Sequence, residues 1–190
     1  ALQMKGRAQA NEFSVCGGIK LNLAAFYWPM KQAAGWLSNT GRCLTFDASA
    51  DGYAHGDASV NVVIKTQTEV IDGKLVVREG EPLLASICGS SVRHTGHGAS
   101  MSAPHGPTEQ EVMSAAVYSA GLTGLDIDAS ECYGLSSPLA DPVEVNSHSR
   151  VLRLADDDDA PLGMMAAKSV VGNATHAAGA VSIMRAILSS

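Results

Sequence analysis

Aromatic residues and charged residues are scarce in this sequence, and no long apolar run is present. Phe, Trp and Tyr make up 5% of the 190 residues and charged residues 17%, whereas 46% are hydrophobic. This composition is typical of a packed globular protein with one sizeable core and not of a disordered chain. Because large side chains are few, we expect helices and sheets to approach closely through Gly, Ala and Ser.

Basic residues are fewer than acidic residues, and the formal net charge is −6. Nucleic acids and anionic membranes would each need a basic face, so neither is an expected partner. No apolar run reaches the length of a membrane span, and Lys5, Arg7 and Glu12 do not fit a signal peptide. We therefore expect no membrane-spanning segment.

The sequence lacks the closely spaced cysteine pairs that commonly bind zinc. Its four cysteines form no C-x-x-C motif and stand far apart, at Cys16, Cys43, Cys88 and Cys132. Three of them lie in apolar or strand-like runs, which indicates buried free thiols in a reducing compartment. That compartment would be intracellular, either the cytoplasm or an organelle such as a plastid.

Two other polar clusters contain metal-ligand residue types, but both favour surface loops. The four acids at 156–159 show neither the alternating ligand spacing nor the turn glycine of a calcium loop. His94, His97 and His105 lie among glycines and serines with no carboxylate between them. We therefore expect no metal site.

The most informative stretch is 131–144, with the sequence ECYGLSSPLADPVE. The alternating residues of 125–132 predict a strand that ends there. Asp141 as a cap, Pro142 at the first helical position and Glu144 three residues after the cap predict a helix start. The loop between lies at the carboxyl end of the strand, where open α/β sheets usually bind ligands. It contains Tyr133, Gly134, Ser136 and Ser137.

The remaining pattern predicts a layered α/β fold, because strands and helices alternate from residue 59 onward. Helices are expected at 1–10 (the tail of a helix), 29–35, 107–121, 142–154 and 177–188. Strands are expected at 13–17 (short and buried), 59–70, 74–78, 83–92 and 162–167. Asp72 and Gly73 form the best hairpin turn. A long polar connection covers 38–57. The Ala-Ala-Gly-Ala start of the last helix predicts the close approach of another backbone.

Four segments, in this order and spacing, resemble the β-ketoacyl synthases (ketosynthases) of fatty-acid and polyketide assembly, which have the thiolase fold. They are 41–53 (GRC followed by FDASADGY), 102–107 (SAPHGP), 131–144 and 168–179 (KSVVGNATHAAG). The resemblance implies a thiolase-like layered αβαβα fold, of which this chain supplies mainly the second half. Residues 1–58 would end the N-terminal half and its connecting loop, and 59–190 would form the C-terminal half.

The resemblance also identifies the site positions. The two catalytic histidines of the family fall on Tyr133 and Asn173, whereas the family's lysine is present as Lys168 and is expected to pair with a buried carboxylate. Ser136 and Ser137 are the expected substrate-binding positions. No residue of this sequence occupies the position of the nucleophilic cysteine, and no cofactor is implied. We expect Tyr133 and Asn173 to face one cavity.

Two functions remain open. The first is a degenerate ketosynthase that acts as a structural or pairing subunit, because one lost oxyanion donor typically costs ~10²–10³ in rate and two are replaced here. The alternative is an active condensing enzyme whose nucleophile lies on another chain or segment. Cys132 does not qualify, since its side chain should point away from that of Tyr133, and His176 is expected to cap a helix or lie on the surface. The implied partners are a complementary ketosynthase half or a homologous chain, with acyl carrier protein as a further candidate, and the chain alone is expected to be inactive.

Overall fold

The computed structural model describes residues 13–78, 80, 82–100, 103–153 and 160–189. The predicted helix tail at 1–10 and the four acids at 156–159 lie outside these ranges. The strands are β1 (Phe13–Lys20), β2 (Ala58–Lys65), β3 (Thr68–Ile71), β4 (Lys74–Val77), β5 (Ala129–Glu131) and β6 (Gly163–Met165). The helices are α1 (Tyr27–Ala33), α2 (Gly106–Ala120), α3 (Ala140–Leu152), α4 (Lys168–Val171) and α5 (Ala178–Ser189), with short 3-10 turns at Gly124–Asp126 and Thr175–Ala177.

The strands form three pairs in the described chain. β1 runs antiparallel to β2, and β3 runs antiparallel to β4. β5 and β6 are parallel and are connected through α3, which is the crossover arrangement of α/β proteins. The Cys132 amide continues this last pair by donating to the Met165 carbonyl at 2.7 Å. The β5–α3–β6 unit therefore places the loop after β5 beside α3.

Turn chemistry explains two predicted element boundaries. Asp72 and Gly73 have φ values of 50° and 77°, so both central residues of the β3–β4 turn are left-handed, as a tight hairpin requires. α2 includes Pro107 in its first turn and ends at Gly121, whose φ of 72° suits glycine. The His105 side chain caps α2 by accepting from the Thr108 amide.

Several predicted strand bounds are wrong. The range 125–132 contains a 3-10 turn followed by only three strand residues, because Asp126 accepts from the Thr123 amide and closes that turn. The range 83–92 contains no strand, and β6 is shorter than predicted. β1 forms but is mostly exposed, so the expectation of a buried strand is also wrong.

The predicted cap of α3 is wrong as well. The helix begins at Ala140, one residue before Asp141. The Asp141 carboxylate instead accepts from the Ser137 amide at 3.1 Å and from the Phe46 amide at 3.1 Å. Asp141 therefore joins two loops, and the Ser137 hydroxyl accepts from the amide of Ala140, the first residue of the helix.

Small residues build the close contacts, as the composition predicts. Ala166, Ala167, Ala174, Ala177 and Ala178 are all buried. A Cβ on Gly18 would lie 2.8 Å from the Ala177 Cα, so β1 approaches the start of the last helix directly. A Cβ on Gly179, in contrast, would have nothing within 4 Å, so the close approach is at Ala177 and not at this glycine.

The distribution of cysteines differs from the sequence prediction. Cys43 and Cys132 are buried, but Cys16 and Cys88 are exposed because β1 and the segment 82–100 are exposed. All four thiols are unpaired.

Among the helices of the described ranges, none combines the length and the apolar character that crossing a membrane requires.

Candidate functional site

The loop after β5 is held by the carboxylate of Glu144 on α3. Its Oε1 accepts from the Tyr133 amide at 2.5 Å and its Oε2 accepts from the Gly134 amide at 2.9 Å. Gly134 has a φ of 51°, and a Cβ there would lie 2.5 Å from that of Ala166, so glycine is required. The carboxylate therefore fixes the backbone that carries Tyr133.

Lys168 lies beneath this loop and is 4% exposed. Its Nζ donates to the Tyr133 carbonyl at 2.5 Å and lies 3.5 Å from the centroid of the Tyr133 ring. Burial lowers the pKa of Lys168, and the negative charge of Glu144 works against this shift. Pairing with a buried carboxylate was expected; instead the ammonium binds a carbonyl oxygen and an aromatic face.

Asn173 is buried and its side-chain oxygen is already occupied. The residue is 2% exposed, and its Oδ1 accepts from the Thr175 amide at 2.9 Å. Its backbone pairs with the long connection, donating to the Ala54 carbonyl at 2.7 Å and accepting from the Gly56 amide at 3.1 Å. Asn173 thus anchors the polar segment 38–57, which contains no helix or regular strand.

The two serines of the loop have different surroundings. Ser136 is fully buried with a φ of 64°, and its Oγ has no hydrogen-bond partner. The Ser137 Oγ accepts from the Ala140 amide at 3.2 Å, which supports the start of α3. Substrate binding by these two residues stays a prediction.

A cavity of about 290 Å³ opens beside the exposed face of Tyr133. Its walls come from α2, α3 and the loop, through Glu109, Val112, Met113, Tyr133, Ala140, Glu144 and His148. Tyr133 is 57% exposed here. Asn173 is not among these lining residues, and a cavity shared by Tyr133 and Asn173 stays a prediction.

Cys132 is buried on the side of the loop away from solvent. It is 2% exposed, and its Sγ lies 3.9 Å from the Nε2 of His148. Burial, with the nearby charge of Glu144, raises the pKa of Cys132 to about 12. A raised pKa and burial both make a thiol a poorer nucleophile, and the exclusion of Cys132 as the nucleophile stays a prediction.

Sequence reasoning missed Cys43 and His148. The Cys43 Sγ lies 3.2 Å from the Ala54 amide, which donates to it, and burial raises the pKa of this thiol. His148 follows Glu144 by four residues, so both lie on one face of α3 and contact the loop. The four-residue spacing between Glu144 and His148 was the signal in the sequence that could have identified His148. His176 is exposed, in the 3-10 turn before α5.

Two family models match the chain. The model described as "Beta-ketoacyl synthase, C-terminal domain" matches residues 84–189. The model described as "Beta-ketoacyl synthase, N-terminal domain" matches residues 6–69. The range matched by the C-terminal model contains the loop after β5, Lys168 and Asn173. The range matched by the N-terminal model contains Cys43 and Ala54.

Several of the similar proteins are polyketide synthases by name. The chain is 36% identical over 183 residues to a phenolphthiocerol/phthiocerol polyketide synthase from Mycobacterium tuberculosis, covering 96% of this chain and 8% of that protein. It is 32% identical over 181 residues to mellein synthase of Phaeosphaeria nodorum, covering 95% of this chain and 10% of that protein. The chain therefore spans a tenth or less of each of these relatives.

Solved structures show the same fold. The oxazolomycin ketosynthase domain of Streptomyces albus JA3453 superposes with a TM-score of 0.81 at 27% identity, covering 93% of this chain and 30% of that one. The ketosynthase from module 6 of the bacillaene synthase of Bacillus subtilis superposes with a TM-score of 0.80 at 23% identity, with 93% and 31% covered. With the C-terminal family model matching more than half of its residues, this chain belongs to the β-ketoacyl synthase family and has its thiolase-like α/β fold.

Proposed function

We propose that this chain is a ketosynthase-like protein of the fatty-acid and polyketide type that lacks condensing activity and acts as a structural or pairing subunit. The family's two oxyanion-stabilising histidines fall on Tyr133 and Asn173. The finer division that we propose is 1–58 for the end of the N-terminal half with its connecting loop and 59–190 for the C-terminal half.

One observation carries the proposal: the Lys168 ammonium and the Asn173 side-chain oxygen make contacts that hold the fold together. The Lys168 ammonium binds the Tyr133 carbonyl and covers the Tyr133 ring, while the Asn173 Oδ1 accepts from the Thr175 amide. An oxyanion site needs donors that are held ready for the developing charge. The Tyr133 carbonyl and the Asn173 Oδ1 can only accept, so the side-chain donors at the two positions are the Tyr133 phenol and the Asn173 amide nitrogen, in place of the family's two imidazoles.

The pairing role is supported by the exposed apolar surface. The accessible surface is 12916 Å², about half as much again as the roughly 8,600 Å² expected for a folded monomer of this mass. Large apolar side chains of β1 contribute to it, namely Phe13, Val15 and Ile19. Such a surface is usually covered by another protein. The partner we propose is a complementary ketosynthase half or a homologous ketosynthase chain, with acyl carrier protein as a second candidate.

The unpaired cysteines support a reducing environment. Cys16 and Cys88 are exposed thiols, and oxidising compartments favour disulfides. We therefore propose an intracellular location, in the cytoplasm or an organelle.

The test is a malonyl-thioester decarboxylation assay with the purified chain, alone and together with a homologous ketosynthase whose nucleophilic cysteine is replaced by alanine. Release of labelled CO₂ should not exceed that of the cysteine-free homologue alone. Incubation with a labelled acyl thioester should leave all four cysteines unlabelled.

The matched variant is Tyr133→Phe, which removes only the phenol oxygen. If the chain does release CO₂ and this variant loses it, Tyr133 acts as an oxyanion donor. The active condensing enzyme with a nucleophile on another chain or segment then replaces the structural role.

A further inference from the structure

We propose that Cys132, Glu144 and His148 form a three-ligand binding site for a thiophilic divalent cation such as Zn²⁺. The site would join the end of β5 to α3. It uses residues that the proposed ketosynthase-like role does not require, and it stands independently of that role.

The three ligand atoms are already close together. One atom of each residue, the Cys132 Sγ, a Glu144 carboxylate oxygen and a His148 ring nitrogen, lies within 4.8 Å of the other two. The Sγ and the His148 Nε2 are 3.9 Å apart. Tetrahedral zinc with ordinary Zn–S and Zn–N bonds needs about 3.5 Å between such atoms. The separation of the Sγ and the Nε2 is therefore about 0.4 Å longer than a zinc ion bound to both would require.

Hydrogen bonds to neighbouring backbone groups prepare the His148 and Glu144 side chains to bind a cation. The His148 Nδ1 is 2.9 Å from the Glu144 carbonyl oxygen, which can only accept, so Nδ1 carries the proton and Nε2 presents a lone pair. The Glu144 carboxylate accepts one backbone amide on each oxygen. Each carboxylate oxygen has a further lone pair, so one remains for a metal.

An independent observation comes from the cavity that two of the three ligands, Glu144 and His148, line. Glu109 lines the cavity together with Glu144 and His148, and its Oε2 is buried without a hydrogen-bond partner. Burying a carboxylate oxygen without a partner is costly. A cation bound by Glu144 and His148 would bring positive charge to the wall of the cavity that Glu109 also lines.

Binding is balanced by the loss of one proton. The S–H bond of Cys132 breaks, its electron pair forms the bond to the metal, and the proton passes to the buffer. His148 loses none, because Nε2 already carries the lone pair. The reaction involves no oxidation or reduction.

The experiment titrates the metal-stripped full chain with Co²⁺, after iodoacetamide has blocked the exposed cysteines Cys16 and Cys88. Thiolate-to-Co²⁺ charge-transfer absorption should rise to one equivalent, with one proton released per metal, and one equivalent of Zn²⁺ should abolish it. Circular dichroism establishes that each protein used is folded.

Variants then identify the ligands. Cys132→Ser should remove the charge-transfer absorption, and His148→Gln should weaken Co²⁺ binding by ~10²-fold or more, a loss of the size that even supporting contacts of metal ligands produce. Cys88→Ser, in an exposed loop, should bind as the unchanged protein does. Absence of a stoichiometric charge-transfer signal in the unchanged protein overturns the proposal without any variant, and so does a signal that persists in a folded Cys132→Ser protein.

Discussion

At the scale of single residues, the four cysteines fall into two classes that chemistry can separate. Cys16 and Cys88 are exposed, whereas Cys43 and Cys132 are buried and have raised pKa values through burial. Only the thiolate is alkylated, so a raised pKa and burial both slow the reaction. At neutral pH, iodoacetamide should modify Cys16 and Cys88 at least ~10-fold faster than the other two. Peptide mass spectrometry would measure this, and in urea all four should react alike. Rapid native labelling of Cys132 would contradict the buried geometry.

Replacement of Asp141 should lower the stability of the fold. Its carboxylate accepts from the Phe46 and Ser137 amides, and Phe46 has a φ of 61°, an unusual conformation for a large residue. Asp141→Ala leaves these donors without their acceptor and should lower the free energy of unfolding by ~2–4 kcal/mol. Asp141→Asn retains one carbonyl oxygen and should cost about half as much.

Urea unfolding provides the measurement for Asp141. The control is Asp128→Ala, because Asp128 is exposed and its substitution should change stability by less than ~0.5 kcal/mol. Equal stabilities of the Asp141→Ala and Asp128→Ala proteins would show that the junction between the two loops is not a stabilising one.

At the scale of elements, two glycines should respond to alanine in opposite directions. Gly121 ends α2 with a φ of 72°, so Gly121→Ala should destabilise by about 1 kcal/mol. Gly179 lies in α5 with open space where a Cβ would stand, so Gly179→Ala should stabilise by ~0.5–1 kcal/mol through helix propensity. Thermal unfolding of the two variants compares them directly. A loss of stability in Gly179→Ala would mean that another chain packs there.

Much of the fold could be predicted because its signals are local. Asp72 with Gly73 specified the β3–β4 turn, and Pro107 with Gly121 specified the limits of α2. The wrong boundaries were set by contacts between distant residues. Asp141 has the sequence of a helix cap, yet its carboxylate is taken by Phe46, which lies far away in the chain.

Only part of the candidate site, likewise, can be predicted from the sequence. Motif spacing indicates Tyr133, Lys168 and Asn173 as site positions, which stays a prediction. It could not indicate that Lys168 binds a backbone carbonyl, because the geometry of the loop determines which acceptor is available. The proximity of Cys132 and His148 was equally hidden, since it requires β5 and α3 to be placed against each other.

At the scale of the whole molecule, the exposed surface predicts dependence on a partner. Leu23 is 86% exposed and Val63 on β2 is 64% exposed, and the total surface is well above that of a typical monomer. We expect the purified chain to self-associate in sedimentation velocity and to bind a hydrophobic dye. Co-expression with a complementary ketosynthase segment should reduce both. Leu23→Lys should reduce dye binding without loss of helical signal, and a monodisperse monomer with one sharp unfolding transition would contradict the expectation.

The pairing of Asn173 with Ala54 and Gly56 has a consequence for how the protein is made. These hydrogen bonds join backbone segments that are more than a hundred residues apart. Synthesis adds about 5–20 residues per second, so on the order of 6–24 s pass between the translation of Ala54 and that of Asn173. During that interval the Ala54 carbonyl and the Gly56 amide lack the hydrogen-bond partner that Asn173 gives them in the folded chain. A stalled nascent chain that ends before Asn173 should therefore be cut by protease within 38–57, whereas one that extends beyond Ser189 and has cleared the ribosome should resist.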